Sequence, residues 1–313
     1  MNEIDIARHS HMIDPQLHVW GWEIPVYLFL GGMAAGAMIL TSLLMMRTRI
    51  DGRSPAARWL AFAATVLVSV GMGALFLDLS YKVHVWRFYL AFRWTSPMSW
   101  GAWILIVVYP VSLALAVAGL GDEQGERVEA FLGRFGLGAP VRALRGFASR
   151  RLPVLSWANL VLGIGLGIYT GVLLSTLGAR ALWASALLGP LFLASGVSAG
   201  AAFLLLFRLS DEERHFVVRW DKLAIGLEVA VLLLFLAGLA TSGAAGKEAV
   251  GMLLGGPFTA SFWSLVVLAG LAVPFLLETL ESRLQLRATA VAPLLVLAGG
   301  FALRWIMVAA GQA

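Results

Sequence analysis

Cysteine is absent from this sequence of 313 residues. Without thiols the protein can form no disulfide, cannot ligate an iron–sulfur cluster through thiolates and has no redox-active thiol, so any metal cluster would belong to a partner. Charged residues are also scarce, at 13% against 60% hydrophobic residues. That balance leaves too little polar surface for a soluble protein of this size. A soluble fold is therefore excluded.

Long apolar runs are what the chain has instead. A helix that crosses a bilayer needs about 20 mostly apolar residues, because its backbone polar groups must be satisfied without water. Such runs predict eight spans, at residues 22–46, 59–80, 97–119, 153–177, 182–207, 221–243, 260–281 and 289–310. The N-terminal residues show no cleavable signal pattern, so we expect the first span to be retained. The sequence predicts an all-α integral membrane protein.

Basic residues predict the orientation of the spans, since short cytoplasmic loops carry an excess of Lys and Arg. Sixteen follow odd-numbered spans: Arg47, Arg49, Arg53, Arg58, Arg127, Arg134, Arg142, Arg145, Arg150, Arg151, Arg208, Arg214, Arg219, Lys222, Arg283 and Arg287. Seven fall on the other face: Arg8, Lys82, Arg87, Arg93, Arg180, Lys247 and Arg304. Both termini are therefore expected to be extracytoplasmic. The net charge of +5 reflects this topology, and we expect no nucleic-acid partner.

The predicted organisation follows from these spans. Residues 1–21 form an extracytoplasmic segment, residues 22–119 hold spans one to three, and residues 120–152 form a cytoplasmic loop. Residues 153–177 form span four, and residues 178–313 hold spans five to eight. The loop has either a short amphipathic segment on the membrane surface or a solvated linker.

An internal repeat suggests how the spans are grouped. FLGGMAAGAMIL at 29–40 aligns with LASGVSAGAAFL at 193–204, which pairs Gly32 with Gly196 and Gly36 with Gly200. Small residues four apart allow close approach of helices in lipid. Two parallel four-helix bundles would explain the match, and chance similarity of small-residue helix faces is the alternative.

Polar residues collect at the predicted outer end of the spans. Glu23 and Tyr27 lie in the first span, Asp78 ends the second, His84 is in the following loop, and Tyr169 lies about two turns inside the fourth. Ionisable groups at membrane depth usually face a cavity. Carboxylates, phenols and an imidazole beside apolar helices suit an amphipathic ligand with polar oxygens at one end. A quinone has that shape, and its chemistry requires hydrogen-bond donors and proton-exchanging groups.

Each of these residues also has a structural interpretation. Tyr27 could belong to an interfacial aromatic belt with Trp20 and Trp22. Asp78 could pair with Lys82 one turn later, and His84 could be an ordinary loop histidine. Tyr169 lies too far inside its span for such an explanation.

Two further carboxylates, Glu228 and Glu278, lie toward the cytoplasmic ends of spans six and seven. With Asp78 they could form part of a proton route across the membrane. Alternatively, Glu228 pairs with Lys222 or an arginine, and Glu278 belongs to an interfacial cluster with Glu281 and Arg283.

The positions of the histidines indicate whether the protein could hold a haem within the membrane. The five histidines are His9, His11, His18, His84 and His215, and none falls in a predicted span. Haem held between paired intramembrane histidines is therefore not expected.

Four segments resemble one known family: WEIPVYLFLGGMAAGA at 22–37, TSPMSWGAW at 95–103, IYTGVLLS at 168–175 and PLFLASGVSAGAAF at 190–203. They are similar to the membrane subunits of polysulfide reductase and NrfD, over essentially the whole chain. The resemblance implies a haem-free, eight-helix, quinone-reactive subunit of a bacterial cytoplasmic-membrane complex. It also implies a ferredoxin-like iron–sulfur partner that connects to a molybdenum or cytochrome catalytic subunit.

The resemblance also assigns site residues. Tyr169 matches the family's tyrosine of the quinone site in span four, and Asp78 takes the place of an acidic residue at the end of span two. Tyr27 stands where the polysulfide-reductase pattern has a histidine, and Glu23 one turn earlier could compensate. Glu23, Tyr27, Asp78, His84 and Tyr169 are thus the predicted quinone-binding set, with no metal site.

Two other functions remain open at this point. A secondary transporter would be compatible with the repeat, the glycines and Pro274 in span seven, but it would need a central polar site. A structural anchor without quinone would leave Tyr169 and Asp78 unexplained.

Overall fold

The computed structural model describes residues 20–47, 55–90, 92–120, 122–178, 180–284 and 289–313. Within these ranges all regular secondary structure is helical, and eight helices are long and apolar enough to cross a membrane. The predicted all-helical membrane class is confirmed. Most of the predicted N-terminal segment, together with Arg8, His9, His11, His18, Arg49, Arg53 and Arg287, lies outside the described residues.

Twelve helices are labelled here in chain order. The membrane-spanning ones are α1 (Glu23–Arg47), α2 (Pro55–Asp78), α4 (Pro97–Ala118), α7 (Leu152–Ser175), α8 (Leu188–Leu205), α9 (Asp211–Thr241), α11 (Thr259–Leu284) and α12 (Val291–Gln312). The shorter ones are α3 (Arg87–Leu90), α5 (Asp122–Gly133), α6 (Gly138–Arg150) and α10 (Ala244–Leu254).

The fifth and sixth spans begin at different residues from those predicted. Helix α8 begins at Leu188 rather than 182, because the preceding residues form turns. Helix α9 begins ten residues before the predicted 221, at Asp211, because Ser210 and Glu213 form a capping box. The Glu213 carboxylate accepts a hydrogen bond from Ser210 N at 2.9 Å. Such a cap, with acidic residues in the first turn, starts a helix in a charged segment.

Helix α11 is irregular in its middle. Residues 262–272 are π-helical, directly before Pro274 in the same span. Close packing accompanies this stretch, since a β-carbon at Gly270 would lie 2.7 Å from Cα of Gly299 in α12. A π-helical segment of this length is unusual and often marks a functional region.

Helix α1 is central and packs against α2, α7, α8 and α12. It crosses α8 at glycines, where a β-carbon at Gly36 would overlap the backbone of Gly196 and one at Gly200 would overlap the backbone of Gly36. The two segments that the repeat aligns are therefore in direct contact. Glycine is needed here because any side chain would force the two helices apart.

The first and last spans meet at one end of the molecule. Trp20 N donates to Oε1 of Gln312 at 2.8 Å, and Nε2 of Gln312 donates to the Trp20 carbonyl at 3.1 Å. The indole of Trp183 packs on Trp20 with 5.3 Å between ring centroids. The start of α1 and the end of α12 thus lie side by side, which agrees with an even number of spans.

Candidate functional site

A cavity of about 410 Å³ lies between α1, α2, α4 and α7, beneath the short helix α3. It lies toward the end of the molecule where α1 begins, hereafter the cavity end. Its walls are formed by Tyr27, Met72, Gly73, Leu75, Phe76, Leu79, Val85, Phe88, Tyr89, Met98, Ala102, Leu105, Tyr169 and Leu173. Eleven of these fourteen residues are apolar, so the site favours an apolar ligand with a few polar atoms.

Three tyrosine hydroxyls supply the polar side-chain groups of the cavity wall: those of Tyr27, Tyr89 and Tyr169. Tyr27 is 4% exposed, and its hydroxyl has no hydrogen-bond partner among the described residues. The hydroxyl approaches the Tyr169 phenol but does not reach hydrogen-bond geometry with it. A buried, unpaired hydroxyl is costly unless a ligand satisfies it. This wall is therefore suited to bind a polar ligand atom.

The position of Tyr169 depends on Gly101. Helix α4 begins within the SPMSWGAW segment, with Pro97 in its first turn, and this places Gly101 opposite α7. A β-carbon at Gly101 would overlap the ring of Tyr169. One of the four segments on which the resemblance rests thus provides the space in which the phenol lies.

Tyr89 was not predicted from the sequence. It lies in α3, within the aromatic-rich stretch WRFYLAFRW at 86–94, which could have drawn attention to it. Burial raises the pKa of the Tyr89 phenol above its usual value, and the nearby Tyr109 phenol adds to the shift. Tyr89 therefore remains protonated, and able to donate, throughout the neutral pH range.

The other predicted quinone-site residues lie beside the cavity and outside its lining. Glu23 is the first residue of α1 and Asp78 is the last of α2, near enough for the two carboxyls to repel each other. His84 is exposed, with its ring 6.5 Å from that of Tyr81. Within the described residues Asp78 forms no ion pair with Lys82. The structure thus brings Tyr27 and Tyr169 together and leaves the carboxyls and the imidazole outside the wall.

The aromatic-belt interpretation of Tyr27 does not fit its burial. Trp22 is 52% exposed, as a belt residue would be, whereas Tyr27 is 4% exposed inside the bundle. Tyr27 therefore belongs to the cavity wall.

Arg304 is the largest departure from expectation. It was counted with the outer basic residues, but it is fully buried inside α12. Its Nη1 donates to Ser195 Oγ at 2.7 Å and to the Gly300 carbonyl at 2.9 Å, while Nη2 donates to the Phe192 carbonyl at 3.2 Å. A guanidinium this deep needs such partners, because an unpaired charge in the membrane is expensive.

Glu228 lies on the other side of Ser195. It is buried and lies near both Ser195 and Arg304. Among the described residues Glu228 forms no ion pair with Lys222 or with an arginine, and Arg304 is the nearby buried cation. A void of about 10 Å³ separates Glu228 from the π-helical stretch of α11. That volume holds about one water molecule.

Asp221 and Glu278 form a second buried group. Ser198 Oγ donates to Asp221 Oδ1 at 2.7 Å, and the Glu278 carboxyl lies next to that of Asp221. Glu278 is 2% exposed and is therefore not part of an interfacial cluster with Glu281 and Arg283. Neither carboxyl oxygen of Glu278 has a hydrogen-bond partner among the described residues, and Oδ2 of Asp221 has none either. In the described part of the sequence no third ligand joins them to make a metal site.

Asp221 was missed because it lies in the charged segment RWDK, at the very start of the predicted span. Hydropathy alone excludes such a segment, whereas the Ser210 and Glu213 cap would have included it.

The sequence is similar to that of known proteins along nearly its whole length. The family model described as polysulphide reductase, NrfD matches residues 11–313. The sequence is 31% identical to that of the polysulfide reductase C chain of Wolinella succinogenes, over 94% of each protein. It is 33% identical to protein NrfD of Escherichia coli, over 94% of this protein and 95% of that one. It is 25% identical to the tetrathionate reductase C subunit of Salmonella typhimurium, over 82% and 70% respectively.

Proposed function

This chain belongs to the polysulphide reductase NrfD family, and from that premise we propose that it is the quinone-reactive membrane subunit of a bacterial respiratory oxidoreductase. Two relatives are named as single subunits of polysulfide and tetrathionate reductases, so other subunits complete those enzymes. A protein without cysteine needs a partner to carry electrons onward. We assign that role to an extracytoplasmic, ferredoxin-like iron–sulfur subunit, which connects in turn to a molybdenum or cytochrome catalytic subunit.

The unpaired Tyr27 hydroxyl carries the proposal. It lies in a largely apolar cavity of about 410 Å³ beside two further phenols. A quinone headgroup has two ring oxygens that accept hydrogen bonds, and its apolar tail fits the surrounding leucine, phenylalanine and methionine side chains. Bound there, a quinone would supply a redox couple of two electrons and two protons.

The protein's own residues would hold and protonate that headgroup. The hydroxyls of Tyr27 and Tyr169 would donate hydrogen bonds to the headgroup, and Tyr89 would donate from the covering helix α3. Asp78 and Glu23, beside the cavity, exchange protons with the solvent of the cavity end. His84 takes part only as a more distant proton carrier, since its side chain is exposed.

The partner would dock over the same segment. Tyr81, Val83, Trp86, Leu90 and Trp94 are exposed on the connection between α2 and α4. Val85, Phe88 and Tyr89 of that connection line the cavity. A subunit bound to the exposed aromatics would therefore lie close to the headgroup, as electron transfer requires.

A proton route would run through the buried polar groups. We retain Asp78, Glu228 and Glu278 as its members and add Asp221, with Arg304 fixing Glu228 through Ser195. The eight spans would form two four-helix bundles joined at the α1 and α8 glycines, with both termini extracytoplasmic.

The transporter alternative gains one observation from the structure, a buried polar group in the middle of α9 and α12. The void beside Glu228 has room for about one water molecule. A transported solute would need a larger cavity there, so the transporter is the weaker candidate.

The function is tested by purifying the native complex and measuring electron transfer from a quinol to the partner's acceptor. We expect an iron–sulfur subunit and bound quinone to co-purify. Tyr169→Phe and Asp78→Asn should each slow turnover about tenfold without loss of assembly, since one such interaction contributes about 1 kcal/mol or somewhat more. Glu212→Gln, at an exposed position at the end of the molecule opposite the cavity end, is the control. Recovery of the protein alone without quinone, or unchanged turnover in both variants, would contradict the proposal.

A further inference from the structure

The connection between α4 and α7 folds into a helical hairpin, α5 and α6, at the end of the molecule opposite the cavity end. Leu137 N donates to the Leu132 carbonyl at 3.0 Å, and Gly136 takes a positive φ of 77° at the turn. Glycine at this position favours the reversal of direction. Helix α5 is therefore terminated sharply and α6 returns along it.

Ion pairs make the hairpin one unit. Glu129 of α5 accepts from Arg142 Nε at 2.9 Å and lies 3.5 Å from Arg145 Nη1, both of α6. The guanidinium of Arg145 lies against Gly125, where a β-carbon would overlap it. These contacts use the faces of α5 and α6 that point at each other.

Helix α6 is fixed to the membrane-spanning body. It packs against α4, with Ala148 completely buried, and it leads through Arg151 directly into α7. Because α4 and α7 both cross the membrane, the hairpin must lie at the level where lipid headgroups begin.

One face of α6 has no protein partner. Leu144 and Phe147 lie on the same face, one turn apart, and Phe147 is 58% exposed. Arg150 and Arg151 flank this face one turn later, and neither forms an ion pair among the described residues. Val154 and Trp157 of α7, at the next positions along the sequence, are exposed as lipid-facing residues of a span. The apolar surface of α6 is thus continuous with the lipid-facing surface of α7.

We propose that α6 is a lipid-binding element: Leu144 and Phe147 insert among acyl chains, and Arg150 and Arg151 bind anionic phospholipid headgroups. Charge complementarity selects this occupant, since arginines beside an inserted apolar face attract anionic lipids. The excess of basic residues at this end predicts the cytoplasmic leaflet. The inference is independent of what binds in the cavity.

The test uses the complete protein, in which the absence of cysteine permits a single reporter. Phe147→Cys and Ser149→Cys are each labelled with bimane and reconstituted in bilayers of phosphatidylcholine and phosphatidylglycerol. Ser149 is exposed and lies about 200° from Phe147 around α6, so it is the matched control. Quenching is measured with acyl-brominated forms of each lipid and with aqueous iodide.

We expect brominated lipid to quench the label at 147 several-fold more than the label at 149, with iodide showing the reverse. Brominated phosphatidylglycerol should quench more than brominated phosphatidylcholine. Arg150→Gln combined with Arg151→Gln should reduce that preference at least about fivefold. An unchanged melting temperature of each labelled variant verifies folding.

Three outcomes would overturn the proposal. Equal iodide quenching at both positions would place the face in water. Shielding of the 147 label from iodide and brominated lipid alike would place it under a protein, either a second copy or another subunit. Equal quenching by the two brominated lipids would show that α6 does not prefer anionic headgroups.

Discussion

The ring of Tyr169 lies against Gly101, in the space that the β-carbon of any other residue at position 101 would occupy. Gly101 thus sets the depth at which this phenol enters the cavity, although it contributes no group of its own. This contact fixes the relative position of α4 and α7, two helices that are far apart in the sequence.

The first prediction concerns this contact. Gly101→Ala should displace the Tyr169 ring, lower quinone affinity about tenfold and destabilise the fold by about 1–3 kcal/mol, the usual cost of overpacking. Quinone titration and thermal unfolding measure the two effects. Gly165→Ala in α7 is the control, because its β-carbon would lie 3.7 Å from Cδ1 of Ile104, an ordinary contact. Wild-type affinity in Gly101→Ala would show that the ring position is unimportant.

Tyr27→Phe should affect stability and binding in opposite directions. Its hydroxyl is buried without a partner among the described residues, so removing it from the ligand-free protein should stabilise the fold by up to about 1 kcal/mol. The same change removes a donor from the cavity and should lower quinone affinity several-fold. The two are measured by thermal unfolding without quinone and by quinone titration. A loss of stability in the ligand-free variant would contradict the unpaired state of this hydroxyl.

Arg304 and Glu228 should be strongly coupled. Arg304→Met removes the buried cation near Glu228 together with its hydrogen bonds to Ser195 and two carbonyls, and should destabilise the protein by about 1–3 kcal/mol. Adding Glu228→Gln should restore part of that loss, because the unpaired charge is removed. Thermal unfolding of the two single variants and the double variant measures the coupling. Additive effects would mean that the two side chains act independently.

Glu228→Gln also tests the proton route. If Glu228 carries protons, the variant should generate less membrane potential per electron transferred, while the complex stays assembled. Proteoliposomes with a potential-sensitive dye and a known electron flux give this ratio. Glu212→Gln, at an exposed position in the first turn of α9, is the control. An unaltered ratio would leave Glu228 with a structural role.

The fifth prediction concerns pH and the hairpin. A hydrogen bond from Arg142, together with the charges of Arg142 and Arg145, holds the pKa of Glu129 below its usual value. The stabilisation is therefore complete above the pKa of an unfolded glutamate and is lost as pH falls through the lower pKa of the folded state. Spin labels on Ala130→Cys and Ala139→Cys should show the hairpin loosening there. Glu129→Gln should abolish the pH response, and a persistent response would assign it to another group.

The number of spans and the helical class could be predicted from hydropathy. A helix in lipid must be long and apolar, and such runs are visible directly in the sequence. The start of α9 was missed since five of its first ten residues are charged, although Ser210 and Glu213 form a recognisable capping box. The π-helical stretch at 262–272 could not be read from its uniformly apolar sequence, because it depends on how Gly270 meets Gly299.

The candidate site was predicted where side chains lie deep in a span and missed where tertiary packing decides. Tyr169 and Tyr27 were named, and both line the cavity. Arg304 was assigned to the outer face because a charge near a helix end usually reaches water. Its burial depends on Ser195 and two carbonyls supplied by α8 and α12, which no local pattern reveals.

Helix α1 separates the two polar regions and touches both. Tyr27 lines the cavity, and five residues further along, about 7 Å by helical rise, Gly32 lies against the guanidinium of Arg304, whose Nη2 would be 2.9 Å from a β-carbon there. A unit charge appearing in the cavity would change the electrostatic potential at Arg304 and Glu228 by on the order of 1–2 kcal/mol across about 10 Å. The helix thus acts as a thin dielectric wall, through which a charge on one side would bias ionisation on the other.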